Sequence, residues 1–464
     1  MVIATVNPAT GETLETFEPL GRDALELALG RAAEAAVLQR ATGFEERSGL
    51  LRRAAELLDA ERDRIAVTVT TEMGKPLAQA RAEAAKCAKA LRWYADHGAA
   101  LIADERPADE DVADSGAAFA YVRYRPFGVV LAVMPWNFPL WQVVRFLAPA
   151  LMAGNVALLK HASNVPRTAL TLADLFRRAG AAPGVFQALL IGSDQVEQVI
   201  RDPRVAAVTL TGSEGAGRAV GAAAGDALKK TVLELGGSDP FLVLPSADVD
   251  AAVATAVKAR IQNNGQSCIA AKRFIVHEEV YPRFAAAFTQ AMRALKVGDP
   301  MDADTDLGPL ATRQGRDDLA ALVADALRHG ATADTGGDRA GVPERGWYYP
   351  PTVLTEVSPE MLVHTAETFG PVATLYRVHD LAEAVELANA TPYGLSSNIW
   401  TMDPEEREYC LRELVAGGLF FNGMTASHPA LPFGGVKNSG YGRELAGHGI
   451  REFCNVTTVW LGNP

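Results

Sequence analysis

The strongest constraint on the fold is the regular alternation of short apolar runs with helical segments in the middle of the chain. Residues 129–133 form a continuous apolar run, as expected of a parallel strand buried on both faces. Further strand-like runs lie at 157–159, 186–190 and 206–210, and segments with helical apolar spacing lie at 140–152 and 167–179. This alternation predicts a doubly wound α/β sheet with helices on both faces.

A second α/β half begins after Gly236 and Gly237. Its predicted elements are strands at 240–244 and 273–277 and helices at 250–262 and 282–295. Residues 22–105 predict three helices, with breaks near 42–43 and 74–76. The segments 119–125 and 453–460 have the composition of edge strands, and the second of them needs a partner because it lies at the chain end.

Composition excludes several kinds of partner. A chain of 464 residues with 48% hydrophobic content can bury several domain-sized cores. Its net charge of -12 argues against nucleic acid and anionic membranes, which require a cationic face. We see no signal peptide or membrane span, and Cys87, Cys268, Cys410 and Cys454 form no Cys-x-x-Cys pair. We therefore expect a reduced, cytoplasmic protein without a metal site.

Cys268 is the leading candidate for a nucleophile because it lies in a small polar turn. Gly265 permits a sharp bend or a close approach to a ligand, and Lys272 and Arg273 bring positive charge that could favour a thiolate. A free cysteine is also often a buried small hydrophobe, so the turn alone does not decide between the two interpretations.

Four further features could contribute to a site at the carboxyl ends of the strands. Glu234 ends an apolar strand, where loss of water raises a carboxyl pKa, and Asn137 is fixed between two prolines as a possible oxyanion donor. Lys160 ends another strand, and the glycine-rich residues 211–217 open a helix whose N-terminus attracts phosphate. Each has a structural alternative: a buried ion pair, a turn asparagine, a solvated lysine and glycines needed for packing.

Seven motifs in register resemble the NAD(P)-dependent aldehyde dehydrogenase superfamily, from about residue 120 to the C-terminus, and the helical N-terminal region fits as well. In chain order they are PWNFP at 135–139, KHAS at 160–163, TGS at 211–213, LELGG at 233–237, GQSC at 265–268, ETFGP at 367–371 and PFGGVKNSG at 432–440.

The resemblance implies an aldehyde dehydrogenase-like α/β fold of two doubly wound domains with a small β oligomerisation element. Residues 1–105 and 126–235 would form the cofactor-binding domain, residues 236–435 the catalytic domain, and residues 106–125 and 436–464 the oligomerisation element and C-terminal tail. The strand at 453–460 would pair with the sheet of another subunit in a homodimer or homotetramer.

The resemblance also implies oxidation of a small-molecule aldehyde through a cysteine thiohemiacetal and a thioester. Cys268 would attack the aldehyde, Asn137 and the Cys268 backbone N–H would hold the oxyanion, and Glu234 would activate the hydrolytic water. The cofactor-binding residues that the motifs imply are Trp136, Lys160, Ser163, Gly212, Ser213, Leu235, Glu367, Phe369 and Phe433.

Residue 163 bears on the cofactor. Members strict for NAD often carry an acid here, which binds the ribose hydroxyls and repels a 2′-phosphate. Ser163 is neutral and stands beside Lys160, so NADP is favoured over NAD. His161 stands where the family usually has proline.

Arg145 and Ser427 bear on the substrate. Arg145 lies two helical turns after Asn137, and arginine is suited to gripping a carboxylate. The chain resembles the succinate semialdehyde dehydrogenases in the position of Arg145, in the sequence of residues 265–273 and in Ser427. This resemblance implies oxidation of succinate semialdehyde to succinate. Gln262 replaces the second arginine of some relatives, and Ala270 replaces a second cysteine, so no redox disulfide is expected. A helix-surface salt bridge is the alternative for Arg145.

Three other functions stay open on the sequence. A broader aldehyde dehydrogenase would act on glutarate semialdehyde or aliphatic aldehydes. A structural protein that has lost catalysis is disfavoured by the presence of Asn137, Glu234 and Cys268 together. A cysteine hydrolase is disfavoured because no histidine lies in a motif that would supply its base.

Overall fold

The N-terminal region forms a hairpin followed by helices in the computed structural model, which describes residues 2–462. Its elements are β1 (Ile3–Asn7), β2 (Glu12–Phe17), α1 (Arg22–Ala41), α2 (Phe44–Ala60), α3 (Arg62–Met73), α4 (Leu77–Leu101) and α5 (Asp109–Asp114). Four helices therefore cover the region where the sequence predicted three. The extra break is at Glu61, whose ψ of 12° leaves the helical range without a glycine or proline to signal it.

The rest of the chain alternates strands and helices. The first part comprises β3 (Phe119–Pro126), β4 (Val129–Met134), α6 (Trp141–Ala153), β5 (Val156–His161), α7 (Pro166–Arg178), β6 (Phe186–Ala188), α8 (Val196–Arg201), β7 (Val205–Thr211), α9 (Glu214–Asp226) and β8 (Lys230–Glu234). The second part comprises β9 (Pro240–Val243), α10 (Val249–Ile261), β10 (Arg273–His277), α11 (Tyr281–Arg293), α12 (Arg313–Arg328), β11 (Thr332–Thr335), β12 (Thr352–Thr355), α13 (Leu362–Thr365), β13 (Val372–Val378), α14 (Leu381–Asn389), β14 (Ser396–Trp400), α15 (Pro404–Glu413), β15 (Gly418–Phe421), β16 (Gly440–Tyr441), α16 (Ala446–Glu452) and β17 (Cys454–Leu461).

The first sheet has the strand order β16-β8-β7-β4-β5-β6. All its neighbouring pairs are parallel except β16 with β8. From β4 the chain moves outward through β5 and β6 and then returns to β7 on the other side of β4. This reversal opens a crevice at the carboxyl ends of β4 and β7, the place where open α/β sheets bind ligands.

The second sheet has the strand order β11-β12-β13-β10-β9-β14-β15 and is parallel apart from the β11 and β12 pair. Strand β10 pairs with β9 and β13 and is buried along its whole length. Residues 262–272 connect α10 to β10, so the predicted nucleophile leads directly into the middle of this sheet. The two sheets agree with the doubly wound architecture that the sequence predicted.

The C-terminal strand β17 pairs antiparallel with β3 of the same chain, from Cys454 opposite Pro126 to Leu461 opposite Phe119. The sequence predicted a partner in another subunit, but this edge of β17 is filled from within the chain. Residues 440–452 pack with the first sheet, because β16 pairs with β8 and α16 contacts α6 and α4. They therefore join the first sheet to the two-stranded ribbon, which Arg451 contacts by stacking on Tyr124 of β3.

Asn155 links the C-terminal segment to the first sheet. Its fully buried side chain accepts the N–H of Gly128 at 3.0 Å and donates to the carbonyl of Phe453 at 3.0 Å. Replacing Asn155 by Ala leaves the Gly128 N–H without a partner and leaves the Phe453 carbonyl with only the N–H of Phe127, so we expect unfolding free energy to fall by about 2 kcal/mol in urea titrations. The matched control is Asn455→Ala, whose exposed amide contacts only Thr457. Equal stability losses in the two variants would contradict this linking role.

Candidate active site

The turn that carries Cys268 has an unusual backbone. Asn263, Asn264 and Gly265 follow one another in the left-handed region, with φ of 58°, 57° and 75°. Asparagine and glycine are the residues that tolerate this conformation best. A Cβ at Gly265 would lie 2.3 Å from the carbonyl carbon of Gly370, so glycine is needed here for the close approach as well. The structure thus agrees with the sequence prediction of a tight, glycine-dependent turn.

Two fully buried cations hold this turn through backbone carbonyls. Arg260 donates to the carbonyls of Gly265 at 2.8 Å and Val372 at 3.0 Å. Lys272 Nζ donates to the carbonyls of Ser267 at 2.7 Å and Cys268 at 2.6 Å. These bonds satisfy carbonyls that no helix or strand uses, and they fix the backbone on both sides of the sulfur.

Arg273 does not face the turn. Its guanidinium donates to the carbonyls of Ser238, Leu387 and Ala388 on the other side of the strand end. Of the two cations that the sequence placed near Cys268, only Lys272 therefore contributes there.

The Cys268 thiol is protonated at neutral pH in this structure. Burial raises its pKa to about 12, and the opposing influence of Lys272 and Arg145 is smaller. The sequence expectation that positive charge favours a thiolate therefore does not hold for the unliganded chain, because loss of water outweighs the charges.

A cavity of about 260 Å³ brings most of the predicted site residues together. Its predicted members are Trp136, Asn137, Gly212, Ser213, Leu235, Cys268, Glu367 and Phe369. Pro135, Thr211 and Gly236 also line it and were not singled out as site residues, although each belongs to a quoted motif. The cavity lies at the crevice between β4 and β7, where the strand order of the first sheet reverses.

The N-terminus of α9 borders this cavity and could hold phosphate. Ser213 caps the helix by accepting the N–H of Ala216 at 3.4 Å, and Gly212 precedes it. Unpaired N–H groups and the helix dipole favour an anion at such a position. Trp136 and Phe369, with ring centroids 5.7 Å apart, supply flat apolar surface to the same cavity.

Lys160 lies on β5, the strand beside β4, and is not part of the cavity wall. It pairs in register with Val133, so its ammonium is at the same sheet edge as residues 135–137. Burial lowers its pKa, and no carboxylate or carbonyl of residues 2–462 offsets that effect. A mostly buried cation without a partner fits a hydroxyl-rich or anionic ligand such as a nucleotide ribose. Ser163 follows it and is partly buried.

His161 turns away from this edge. Its Nε2 lies 2.9 Å from the carbonyl of Pro139, and its Nδ1 lies 3.2 Å from the carbonyl of Met134 and 3.0 Å from the backbone N of Ala162. Burial lowers the pKa of His161 to about 4, which keeps the ring neutral. The histidine therefore anchors the segment around Asn137 and leaves the Lys160 side chain unobstructed.

Glu367 places a carboxylate in the cavity wall. It accepts the backbone N–H of Gly237 at 3.1 Å and pairs with Lys272 at 3.3 Å. Burial raises its pKa, while Lys272 acts in the opposite direction. A Cβ at Gly236 would come within 2.8 Å of the Glu367 carboxylate, so this chain segment approaches it as closely as glycine allows.

Asn137 is buried beside the cysteine turn. Its Nδ2 donates to the carbonyl of Gln266 at 3.2 Å, and its own backbone carbonyl accepts from Asn263 Nδ2 at 2.7 Å. These bonds join the segment after β4 to the turn on the second sheet. The amide is thus held rigidly next to the sulfur, as an oxyanion donor requires.

Glu234 lies at the end of β8 and is 2% exposed, and neither carboxyl oxygen has a hydrogen-bond partner among residues 2–462. Burial raises its pKa well above the usual range, and the nearby Arg145 only partly opposes this. Burial therefore favours the protonated form of this carboxyl. It does not line the cavity, and the backbone of Gly434 and Gly440 packs directly against its strand.

The structure differs from the prediction for Arg145. Its guanidinium forms a buried ion pair with Glu444, stacks 4.7 Å from the ring centroid of Phe433 and reaches Thr211 Oγ1 at 3.3 Å. It is 2% exposed, so it is neither the predicted carboxylate grip nor the helix-surface salt bridge. The pairing with Glu444 requires a residue 299 positions away, which helical spacing alone does not reveal.

Phe433 and Ser427 also lie outside the main cavity. Phe433 is buried beneath the Arg145 guanidinium, away from the predicted nicotinamide pocket. Ser427 Oγ accepts from Lys86 Nζ at 2.7 Å and from Trp141 Nε1 at 3.1 Å. The sequence prediction missed Lys86, Glu444 and Arg260. Each is a single charged residue with a partner far away in the chain: Lys86 bonds to Ser427, Glu444 to Arg145 and Arg260 to Val372.

The fold and this site define an α/β enzyme in which a cysteine nucleophile faces a nucleotide-type crevice between two doubly wound sheets. Residues 1–459 match the Aldehyde dehydrogenase family, and the chain belongs to that family.

Similar proteins include the NADP(+) succinate-semialdehyde dehydrogenase 1 of Mycobacterium tuberculosis, 59% identical over 461 residues, which are 99% of this chain and 100% of the relative. The succinic semialdehyde dehydrogenase of Streptococcus pyogenes, solved with NADP+, is 37% identical with a TM-score of 0.95 over 99% of this chain and 100% of that one. The succinate-semialdehyde dehydrogenase structure from Burkholderia pseudomallei is 36% identical with a TM-score of 0.95 over 100% and 95%.

None of the helices within residues 2–462 combines the length and apolar character needed to cross a membrane.

The raised pKa of Glu234 predicts a pH-dependent effect of Glu234→Gln on stability. In the folded wild type the carboxyl keeps its proton to higher pH than in the unfolded chain, so wild-type stability falls as pH rises above about 5. The amide variant lacks this loss. Its stability relative to wild type should therefore rise with pH above about 5, by at most about 1.4 kcal/mol per pH unit.

Thermal unfolding at several pH values measures this difference. The control is Glu278→Gln, because His379 lowers the pKa of that exposed carboxyl and its substitution should bring no gain toward alkaline pH. A difference between wild type and Glu234→Gln that stays constant with pH would contradict the burial of a protonated carboxyl.

Proposed function

We propose that this aldehyde dehydrogenase oxidises succinate semialdehyde to succinate, with NADP+ preferred and NAD+ accepted less well. The observation that carries the proposal is the cavity in which the Cys268 thiol, the Asn137 amide and the N-terminus of α9 meet. Relatives that are 59% identical over nearly the whole chain bear this name, which supports the choice of aldehyde.

The reaction converts aldehyde, water and oxidised cofactor into carboxylate, reduced cofactor and two protons. Cys268 loses its proton and its sulfur bonds to the aldehyde carbon, giving a thiohemiacetal. The oxyanion is stabilised by Asn137 Nδ2, which exchanges its present bond to the Gln266 carbonyl for the substrate oxygen, and by the Cys268 backbone N–H. The cofactor supplies the acceptor for the hydride that leaves this carbon.

Glu234 completes the cycle in the proposed mechanism. After hydride loss the thioester is hydrolysed by water, and a carboxylate must take a proton from that water. The raised pKa suits Glu234 to this role, because a stronger base forms when its proton has left. Access requires rotation of the side chain from its present buried position toward the cavity.

The proposed cofactor site uses residues on both sides of the crevice. Gly212 and Ser213 at the start of α9, with Trp136, would border the pyrophosphate, and Lys160 and Ser163 would bind the adenine ribose. Glu367 would bind the nicotinamide ribose, with Leu235 and Phe369 along the ring. Phe433 stays outside this set because it packs under Arg145.

We further propose the following organisation. Residues 1–105 and 126–235 bind the cofactor, 236–435 carry the nucleophile, and the β3–β17 ribbon joins subunits of a homodimer or homotetramer. Val456, Trp460 and Leu461 leave about half or more of their surface exposed, which supports burial against another subunit. All four cysteines are unpaired, which supports a reducing, cytoplasmic setting.

A panel of aldehydes tested with both cofactors examines the function directly. We expect succinate semialdehyde to give the highest kcat/KM with NADP+, followed by glutarate semialdehyde and then butanal. Cys268→Ala should abolish turnover of all three, whereas Cys410→Ala, which removes a buried thiol on α15, should retain it. Equal kcat/KM for butanal and the semialdehydes would instead favour a broad-specificity enzyme.

Ser163→Glu tests the cofactor site. A carboxylate at this position repels a 2′-phosphate and can accept the ribose hydroxyls of NAD+. We expect kcat/KM with NADP+ to fall about 10- to 100-fold and the value with NAD+ to hold or rise, as 1.4 kcal/mol corresponds to a factor of ten. Ser163→Ala, which adds no charge, is the control. An unchanged cofactor ratio in the glutamate variant would remove residue 163 from the ribose site.

A further inference from the structure

A second cavity, of about 410 Å³, adjoins the same chain segment as the first. Pro135, Trp136 and Asn137 line the first cavity, whereas Phe138 and Trp141 line the second. The turn that carries Cys268 also contributes to both cavities: Cys268 lines the first cavity, and Asn263 lines the second. The two cavities therefore share two chain segments, and the second is large enough for the carbon chain of a four-carbon aldehyde.

Lys86 is the unusual residue of this cavity. Its ammonium lies over the ring of Trp141, 4.2 Å from the centroid, and it belongs to none of the ion pairs within residues 2–462. Burial lowers the pKa of Lys86 to about 8, so the side chain is mostly charged at neutral pH. A partly buried charge without a counter-ion is unfavourable unless a ligand supplies one.

Two further donors lie beside Lys86, and one unpaired acceptor, Asn263 Oδ1, belongs to a residue of the same cavity. Ser427 Oγ already accepts from both Lys86 and Trp141, so its hydroxyl proton remains available for a further acceptor. The Nε2 of Gln262, which also lines the cavity, is buried without a hydrogen-bond partner among the described residues. Lys86 and Gln262 line the cavity with N–H groups that have no acceptor, and Ser427 is bonded to Lys86 just behind them, so the set suits an anionic acceptor such as a carboxylate.

The nearby carboxylate does not fill this role. Glu83 lines the cavity, but one of its oxygens accepts the N–H groups of Leu140 and Trp141 and the other pairs with Lys75. Two further cations face Lys86 or its cavity. Arg145 is occupied by Glu444, and Lys258 lies exposed on α10.

We propose that Lys86, with Ser427 and Gln262, binds the distal carboxylate of the semialdehyde substrate, so that α4 and not Arg145 on α6 sets the preference for carboxylated aldehydes. This inference rests on the proposed function, since it assigns the group that recognises that substrate. The amide of Gln262 supplies a neutral donor where some relatives have an arginine, and the lysine provides the charge.

Lys86→Met tests this assignment, because methionine keeps much of the side-chain volume and removes the charge. We expect the ratio of kcat/KM for succinate semialdehyde to kcat/KM for butanal to fall about 10- to 100-fold, mainly through a higher KM for the semialdehyde, as expected for loss of a hydrogen bond to a charged group. The matched control is Lys89→Met, an exposed lysine less than one turn further along the same helix, which should leave the ratio unchanged.

The pH dependence provides a second measurement that does not depend on how well Lys86→Met folds. In the wild type the KM for succinate semialdehyde should rise as pH passes about 8, because Lys86 loses its charge there, while the KM for butanal should not. In Lys86→Arg the charge persists, so the alkaline rise in KM should disappear.

The outcomes separate this inference from the proposed function. A wild type that strongly prefers the semialdehyde, together with a Lys86→Met variant that keeps this preference, would overturn the role of Lys86 and leave the proposed function standing. A wild type that shows no preference for carboxylated aldehydes would overturn both. Loss of the preference in Lys86→Met alone supports both.

Discussion

The active site depends on two buried cations that bond to backbone carbonyls. Residues 263–265 occupy the left-handed region, so the turn leaves helix and strand bonding, and the carbonyls of Gly265 and Cys268 need donors from side chains in the protein interior. Arg260 and Lys272 supply the missing donors from the end of α10 and the start of β10. Burial lowers the pKa of Arg260 to about 9, because the guanidinium has lost its hydration. Asn137 and Glu367 are positioned by the same set of residues, because Asn137 bonds to the turn and Glu367 pairs with Lys272.

Burial favours the uncharged forms of the two groups that we propose to react. It raises the pKa of both the Cys268 thiol and the Glu234 carboxyl, because the charged form of each would lose its hydration. A neutral cysteine is a poor nucleophile and resists oxidation. The same burial makes each group a stronger base once its proton is removed, and the fixed dipoles of Asn137 and the turn act without competition from water.

Much of the fold could be predicted from the sequence, because buried parallel strands such as β4 and β10 leave continuous apolar runs. The glycine and asparagine residues at 263–265 also predict a tight turn, because these residue types tolerate left-handed backbone conformations. Side-chain partnerships could not be predicted in this way. The helical spacing places Arg145 correctly on α6, but it does not reveal the ion pair that Arg145 forms with Glu444, near the C-terminus. The sequence does not single out Lys86, because it looks like any lysine on a helix. Only the structure shows that its ammonium has no counter-ion among the described residues. The break at Glu61 was missed because a charged residue ends α2 there without a glycine or proline.

The last segment of the chain closes the first sheet beside Glu234. Gly440 pairs with Glu234, Ser439 Oγ donates to the Gly236 carbonyl at 2.7 Å, and Glu444 captures Arg145. This one segment therefore supplies the last strand of the first sheet and also encloses two buried charged residues. Without Gly440 and Glu444, the end of β8 would lose its neighbour beside Glu234, and Arg145 would lack its counter-ion in the protein interior.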